Sequence, residues 1–217
     1  MKRRLLIFTM ICLLTGLVSP AIVGAAEVEK PSVKNTCISP AAFKLASEMR
    51  KLWIDHVVWT RNYIVSAVDG LQDQKAVLAR LLKNQQDIGD AIKPYYGEAA
   101  GNTLAELLKE HILIAGKIVD AAKSGQQAEV EKLNKEWHRN ADDIAKFLNS
   151  LNPYWTVKEF QTLLYHHLEL ITNALTARLN KDWNADIMAF DQGENHIIVL
   201  ADALTRGIIR QFPDKFK

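Results

Sequence analysis

Four histidines, His56, His111, His167 and His196, have the residue type and spacing to do chemistry. Neutral imidazole is the commonest protein ligand for a transition-metal ion and the side chain whose charge changes nearest neutral pH. The first three recur at intervals of 55 and 56 residues. Each follows large apolar residues at i−4 and i−3: Leu52-Trp53, Leu107-Leu108 and Leu163-Leu164. A second set keeps the same period, with Asn84, Asn140 and His196 spaced by 56. The segments after them, Asp87-Ile88-Gly89, Asp143-Ile144-Ala145 and Val199-Leu200-Ala201, hold the register. The chain reads as a triplicated unit.

Around these positions the apolar residues recur at i, i+3, i+4 and i+7, the pattern of one buried helix face. Met49, Leu52, Trp53, His56, Trp59, Tyr63 and Ile64 form the first such row. Ser39-Pro40 opens that helix with a capping serine and a proline at the first helical position, and Asp69-Gly70 ends it. The second helix carries Val77, Leu81, Asn84, Ile88 and Ile92 and stops before Pro94-Tyr95-Tyr96-Gly97. Thr103 with Glu106 forms a capping-box pattern for a third helix through His111, and Ser124-Gly125 is its turn. A fourth helix through Trp137 and Asn140 breaks at Asn152-Pro153, and Thr156 with Glu159 repeats the capping box for a fifth through His167. The sixth, after a weakly marked turn near Lys181-Asp182, passes through His196 and ends at Phe212-Pro213. No stretch sustains strand-like alternation. The expectation is therefore an all-α fold of six helices in three quasi-repeated antiparallel hairpins, about 39–96, 97–153 and 154–213, forming a bundle within a single domain, 39–217.

In each hairpin the two polar positions are equidistant from the turn, His56 and Asn84 about Gly70, His111 and Asn140 about Gly125, and His167 and His196 about Lys181-Asp182. At a rise of 1.5 Å per residue, each pair lies at one height, roughly 21 Å from its turn. His56, His111, His167, His196, Asn84 and Asn140 are thus expected to form one polar layer. Two readings of that layer stand side by side. Bundle cores are a common place to build metal sites, and four imidazoles at one level suit a transition-metal ion or a metal-containing cofactor. A histidine on an apolar face is also commonly a core residue bonded to a neighbour, and a His-Asn pair satisfies both partners with no ligand. Triplication copies residues by descent, so the three histidines are not independent observations.

Asp87, Asp143 and Glu194 flank the layer and could join a site from its edges, although each is equally a solvated helix flank. His138 and His166 read as surface residues, Arg61 as an ion-pair partner, and Tyr95-Tyr96 with Tyr154-Trp155 as packing over the bundle ends. The sequence holds no Cys-x-x-Cys-His, Glu-x-x-His or glycine-rich phosphate motif, and no nucleophile in a recognisable setting. No catalytic residue is assigned, and the reading leans away from an enzyme.

The N-terminus has a different character. Met1-Lys2-Arg3-Arg4 is basic, Leu5 to Val18 is apolar and too short to span a bilayer, and Gly24-Ala25-Ala26 offers small residues for cleavage. Residues 1–26 read as a secretory signal peptide and 27–38 as a lead-in, placing the mature protein outside the cytoplasm with no membrane span. Removing Lys2, Arg3 and Arg4 takes the formal charge from +2 to −1, which leaves no basic excess for nucleic acid. Cys12 leaves with the signal, and Cys37 then has no partner in its own chain, so no disulfide framework is expected.

Particular stretches carry a resemblance. They are His56 through Trp59-Thr60-Arg61, Asn84 to Gly89, Tyr96-Gly97, Leu107 to Ile112, Asn140-Ala141-Asp142, Asn152-Pro153 with Trp155, and Ala201-Asp202 through Gly207-Ile208-Ile209 to Phe212-Pro213. In these the chain resembles a family of secreted or envelope-associated bacterial all-helical proteins for which no function is established. The resemblance implies the location and fold already read from the residues and adds no activity. Two functional classes follow: a module holding a metal ion in the histidine layer, or a structural protein whose layer only fixes register and whose outer faces meet a protein partner or a second copy.

Overall fold

A computed structural model describes residues 38–217. The expected signal peptide at residues 1–26, Cys12, Cys37 and nearly all of the expected lead-in lie outside them. The described residues form five α-helices and a closing 3-10 turn, with no strand among them. These are α1 (Pro40–Asp69), α2 (Gln74–Lys123), α3 (Gln127–Leu151), α4 (Val157–Leu179) and α5 (Trp183–Gln211), followed by Pro213–Phe216. No described helix is long and apolar enough to cross a membrane.

Local chemistry sets most of the ends. Ser39 Oγ accepts the Ala42 N–H with Pro40 behind it, Thr156 Oγ1 accepts the Glu159 N–H, and Asp182 caps α5 through the Ala185 N–H. The turns fall where the sequence placed them. Gly70 (φ 66°), Gly125 (φ 67°) and Lys181 (φ 58°) take the left-handed conformation there.

One boundary differs. Where two helices were expected, helical backbone runs past Pro94 and resumes directly beyond Gly97, the one non-helical residue of α2 (φ 84°, ψ 169°), in a conformation open to glycine and strained for other residues. The Thr103-Glu106 capping box does not form. Helix is already established at Thr103, whose hydroxyl donates to the Ala99 carbonyl from within the chain's own turn. The two arms of α2 meet on either side of Gly97. A Cβ on Gly89 would collide with the Gly101 carbonyl and with the Ala105 Cβ, and Lys109 Nζ donates to Gln86 Oε1 at 3.1 Å. Glycine at both contact points allows this close approach of backbones.

The core runs the length of the helices through Met49, Leu81, Ile88, Leu104, Ile144, Leu168, Leu200 and Leu204, all essentially inaccessible. The aromatic pairs close one end as expected. Trp155 is fully buried, donates Nε1–H to the Leu204 carbonyl and fills the space a Cβ on Gly207 would take. Tyr96 packs tilted against Trp155 and edge-on to Phe212, and donates its hydroxyl to Gln211 Oε1. Toward the other end, Asp186 on α5 is 1% exposed between Arg61 of α1 and Arg178 of α4. Burial alone would raise its pKa, but the two guanidiniums hold it below the usual carboxylate range. Arg61 is therefore an ion-pair partner, in a more buried setting than its sequence neighbours suggested.

Candidate functional site at the buried histidines

His56, His111 and His167 come from α1, α2 and α4, and each is no more than 3% exposed. The His167 ring stands between the other two, with ring centroids 5.4 Å from His56 and 6.2 Å from His111. Two tryptophans border the group: Trp53 lies 5.6 Å from His56 and Trp137 5.1 Å from His111.

Asn84, Asn140 and His196 do something the spacing did not reveal. Asn84 Nδ2 donates to the Leu52 carbonyl at 3.0 Å, Asn140 Nδ2 to Leu107 at 3.1 Å, and His196 Nε2 to Leu163 at 2.8 Å. Leu52, Leu107 and Leu163 each stand four residues before a central histidine, so one bond recurs three times. Each ties a helix to the backbone of its neighbour, a net stabilisation of about 1 kcal/mol apiece. The six-residue layer thus divides into an inner three and an outer three. His196 belongs to the outer set. It is half-buried, and its ring packs at 4.6 Å against exposed His166 rather than facing His56 or His111.

Of the three facing pairs, one forms a direct bond. His111 Nδ1 lies 2.8 Å from Asn140 Oδ1. The Asn140 amide nitrogen is committed to the carbonyl of Leu107 and to Glu110 Oε2, so its oxygen must face the ring, and the His111 proton sits on Nδ1. That leaves a lone pair on Nε2. His56 is served by Gln85, a residue the periodic reading passed over because it is one position off the Asn84 row. Gln85 Nε2 lies 3.3 Å from His56 Nδ1 and is held by the Leu81 carbonyl at 2.8 Å and Asn84 Oδ1 at 3.2 Å. The Gln85 amide carries two hydrogens, and the closer Leu81 carbonyl and Asn84 Oδ1 accept both, so its approach to His56 Nδ1 assigns no tautomer to that ring. For His167, Nδ1 is buried with no hydrogen-bond partner among the described residues.

All three rings are neutral. Burial, reinforced by His111, lowers the His56 pKa to about 3. Burial lowers His111 to about 4, against a partial compensation from Asn140. His167 is pushed well below 6.5 by burial and by the imidazoles around it. Among the flanking carboxylates, Asp87 pairs with Lys83, and Asp143 with Arg139 and Lys146, all toward solvent. Glu110, beyond Asn140, pairs with Arg139.

Three further features bear on ligand chemistry. The indole N–H groups of Trp53 and Trp137 and the Gln85 Oε1 join His167 Nδ1 as buried polar atoms without partners. Native interiors rarely leave such groups unpaired, and each marks a place for water, an ion or a functional contact. One helical turn beyond the histidines, Thr60, Ala115 and Ile171 with Trp137 line an apolar cavity of about 20 Å³. That is room for a water molecule but not for an organic cofactor. Among the described residues, no three His, Cys, Asp or Glu side chains are grouped as an ion-binding set.

Comparison with known proteins adds no constraint: no family model matches the chain, and no curated protein or solved structure matches it.

Proposed function

We propose that the chain is an extracytoplasmic helical-bundle binding protein that takes a transition-metal ion at the centre formed by the buried histidines. The observation that carries this reading is the concentration of unpartnered polar atoms at that centre, above all His167 Nδ1 between two other neutral imidazoles. A layer that served only to fix register would be expected to satisfy its own polar groups, since each buried orphan costs about 1–3 kcal/mol. Asn140 orients His111 as an outer hydrogen-bond acceptor orients a ligating imidazole.

The same reading takes the fold to be a threefold repeat of helical hairpins, α2 counting as two arms joined at Gly97. The three equivalent side-chain bonds to Leu52, Leu107 and Leu163 support it. Those bonds also favour the second reading, a structural or interaction protein whose layer only locks helices in register, with a protein partner or a second copy as its target. Elemental analysis separates the two. Protein exported without a histidine tag, exposed to a mixture of first-row transition metals and desalted, is expected to retain stoichiometric metal. Retention of none, with helicity and stability unchanged by a chelator, leaves the structural reading in place.

A further inference from the structure

We infer that the cleft between the C-terminal arm of α2, the start of α3 and the end of α4 binds an uncharged organic molecule with an apolar body and a hydrogen-bonding end. No histidine lines this cleft, so the inference goes beyond the metal-binding reading and does not rest on it.

The helix ends leave the space open. Only Ser124, Gly125 and Gln126 separate α2 from α3, and Gly125 turns the chain in the left-handed conformation with nothing within 4 Å of where its Cβ would stand. Ala122 on the α2 side is equally small. The last turns of α4 face this gap and bound a cleft of about 320 Å³. That volume falls within the range of small-molecule pockets, about 300–1,000 Å³.

The lining decides the chemistry. Its apolar part is Ile118, Ala122, Val130, Leu175 and Leu179, and its polar part includes the side-chain amides of Gln126, Gln127 and Asn180. Those amides donate and accept hydrogen bonds but do not ionise. Among the described residues, no Asp, Glu, Lys or Arg lines the cleft. A charged ligand would lose hydration there without meeting a counter-ion, which selects a neutral one. Two other grooves of similar volume differ on this point. One is walled by Lys44, Glu48 and Lys215, the other by Glu106, Glu110 and Lys117.

The inner wall adds a second observation. Ile118, Thr172 and Leu175 line both the cleft and the 20 Å³ apolar cavity beyond it, so the two spaces share a wall of side chains. Thr172 spends its hydroxyl on the Leu168 carbonyl, which leaves that wall without a free donor. Trp137 lines the same cavity, and its buried indole N–H has no partner among the described residues. A wall backed by empty space yields to an apolar group pressed against it, as a wall backed by close-packed atoms does not.

The test is a fluorescence titration of the exported protein with N-phenyl-1-naphthylamine, an uncharged dye that brightens on leaving water. Wild type is expected to take up one dye per chain, saturably. Thr176→Trp, at an exposed position lining the cleft, should weaken binding at least tenfold. Thr162→Trp, exposed on the same helix but away from the cleft, should stay within about twofold. 1-Decanol should displace the dye at a concentration at least tenfold below that needed with decanoate or decyltrimethylammonium. Loading should also shift the Trp137 indole N–H resonance, assigned by its loss in Trp137→Phe. Absence of saturable binding, or equal weakening by both tryptophan variants with helicity retained, overturns the site. Displacement by either ionic amphiphile as readily as by decanol overturns the neutral ligand class, and an unmoved Trp137 resonance in the loaded protein overturns the part given to the inner wall. Metal uptake, measured separately, has no bearing on any of these outcomes.

Discussion

His56 and His111 stand 55 residues apart in the sequence and lie equally deep, yet the side-chain amides that meet their rings are arranged differently. Around His111 a single asparagine does everything: it ties α3 to the Leu107 carbonyl and turns its oxygen to the ring. Around His56 the same two jobs are split, with Asn84 making the tie and Gln85 meeting the ring with a nitrogen. A change in which amide atom faces an imidazole moves no backbone and leaves the burial unchanged. At His111 it nevertheless decides which nitrogen can accept an ion or a proton. Two histidines at the same sequence spacing and the same depth therefore need not share the same hydrogen-bond surroundings.

Acid titration offers the largest effect with which to break that comparison. Both folded pKa values lie below the unfolded value of about 6.5, so above that pH neither state carries the proton and stability is flat with respect to these groups. As pH falls below 6.5, the unfolded chain binds protons that the folded core refuses, and stability drops. At pH 5 the expected loss is about 2 kcal/mol for each of His56 and His111, a sum of about 4 kcal/mol. His167 adds in the same direction. The decline due to His111 should end near pH 4 and that due to His56 near pH 3. Urea unfolding from pH 7.5 to 4.5 measures it, and His111→Gln or His56→Gln should each flatten the slope by about one proton. A flat profile would mean that the rings are solvated or charged in the folded protein.

Replacing the tying residues sharpens the same contrast. Asn140→Leu removes the bonds to Leu107, to Glu110 and to His111, leaving a buried ring N–H without an acceptor, and should cost about 3 kcal/mol. Asn84→Leu removes the Leu52 tie and one of the three acceptors around the Gln85 amide, and should cost about 1.5 kcal/mol. Equal losses in denaturant midpoints at constant m-value would show that the two asparagines carry the same load. The smallest contrast compares the two capping-box sequences. Thr156→Ala should destabilise by about 1 kcal/mol, because its oxygen accepts the Glu159 N–H, whereas Thr103→Ala should fall within about 0.5 kcal/mol of wild type. Matching melting temperatures for the two variants would contradict the difference in helix entry.

Much of the fold was legible because its causes are local. Ser39-Pro40, Asp69-Gly70, Ser124-Gly125, Asn152-Pro153 and Thr156-Glu159 act through bonds to residues within four positions, and the apolar rows name their own buried faces. The Thr103-Glu106 pattern misled because the helix there is already nucleated upstream, directly after the glycine at 97, and a threonine inside a helix bonds back to the preceding turn. Burial of His56, His111 and His167 was readable from the same rows. The partners of those histidines were not, because Gln85 lies off the repeat row and hydrogen-bond direction depends on what each amide's other atom meets across 30 or more residues of chain.

By itself the amino-acid sequence determined the helical class, most of the turns and which side chains leave water, since periodicity and capping depend on neighbours along the chain. Only the tertiary structure decided that Asn84, Asn140 and His196 tie helices to carbonyls while three histidines meet at the centre, and which amide atom meets each ring. A tautomer is set by the atoms that surround a ring in space, and the repeat that fixes a side chain's depth says nothing of which amide atom will face it.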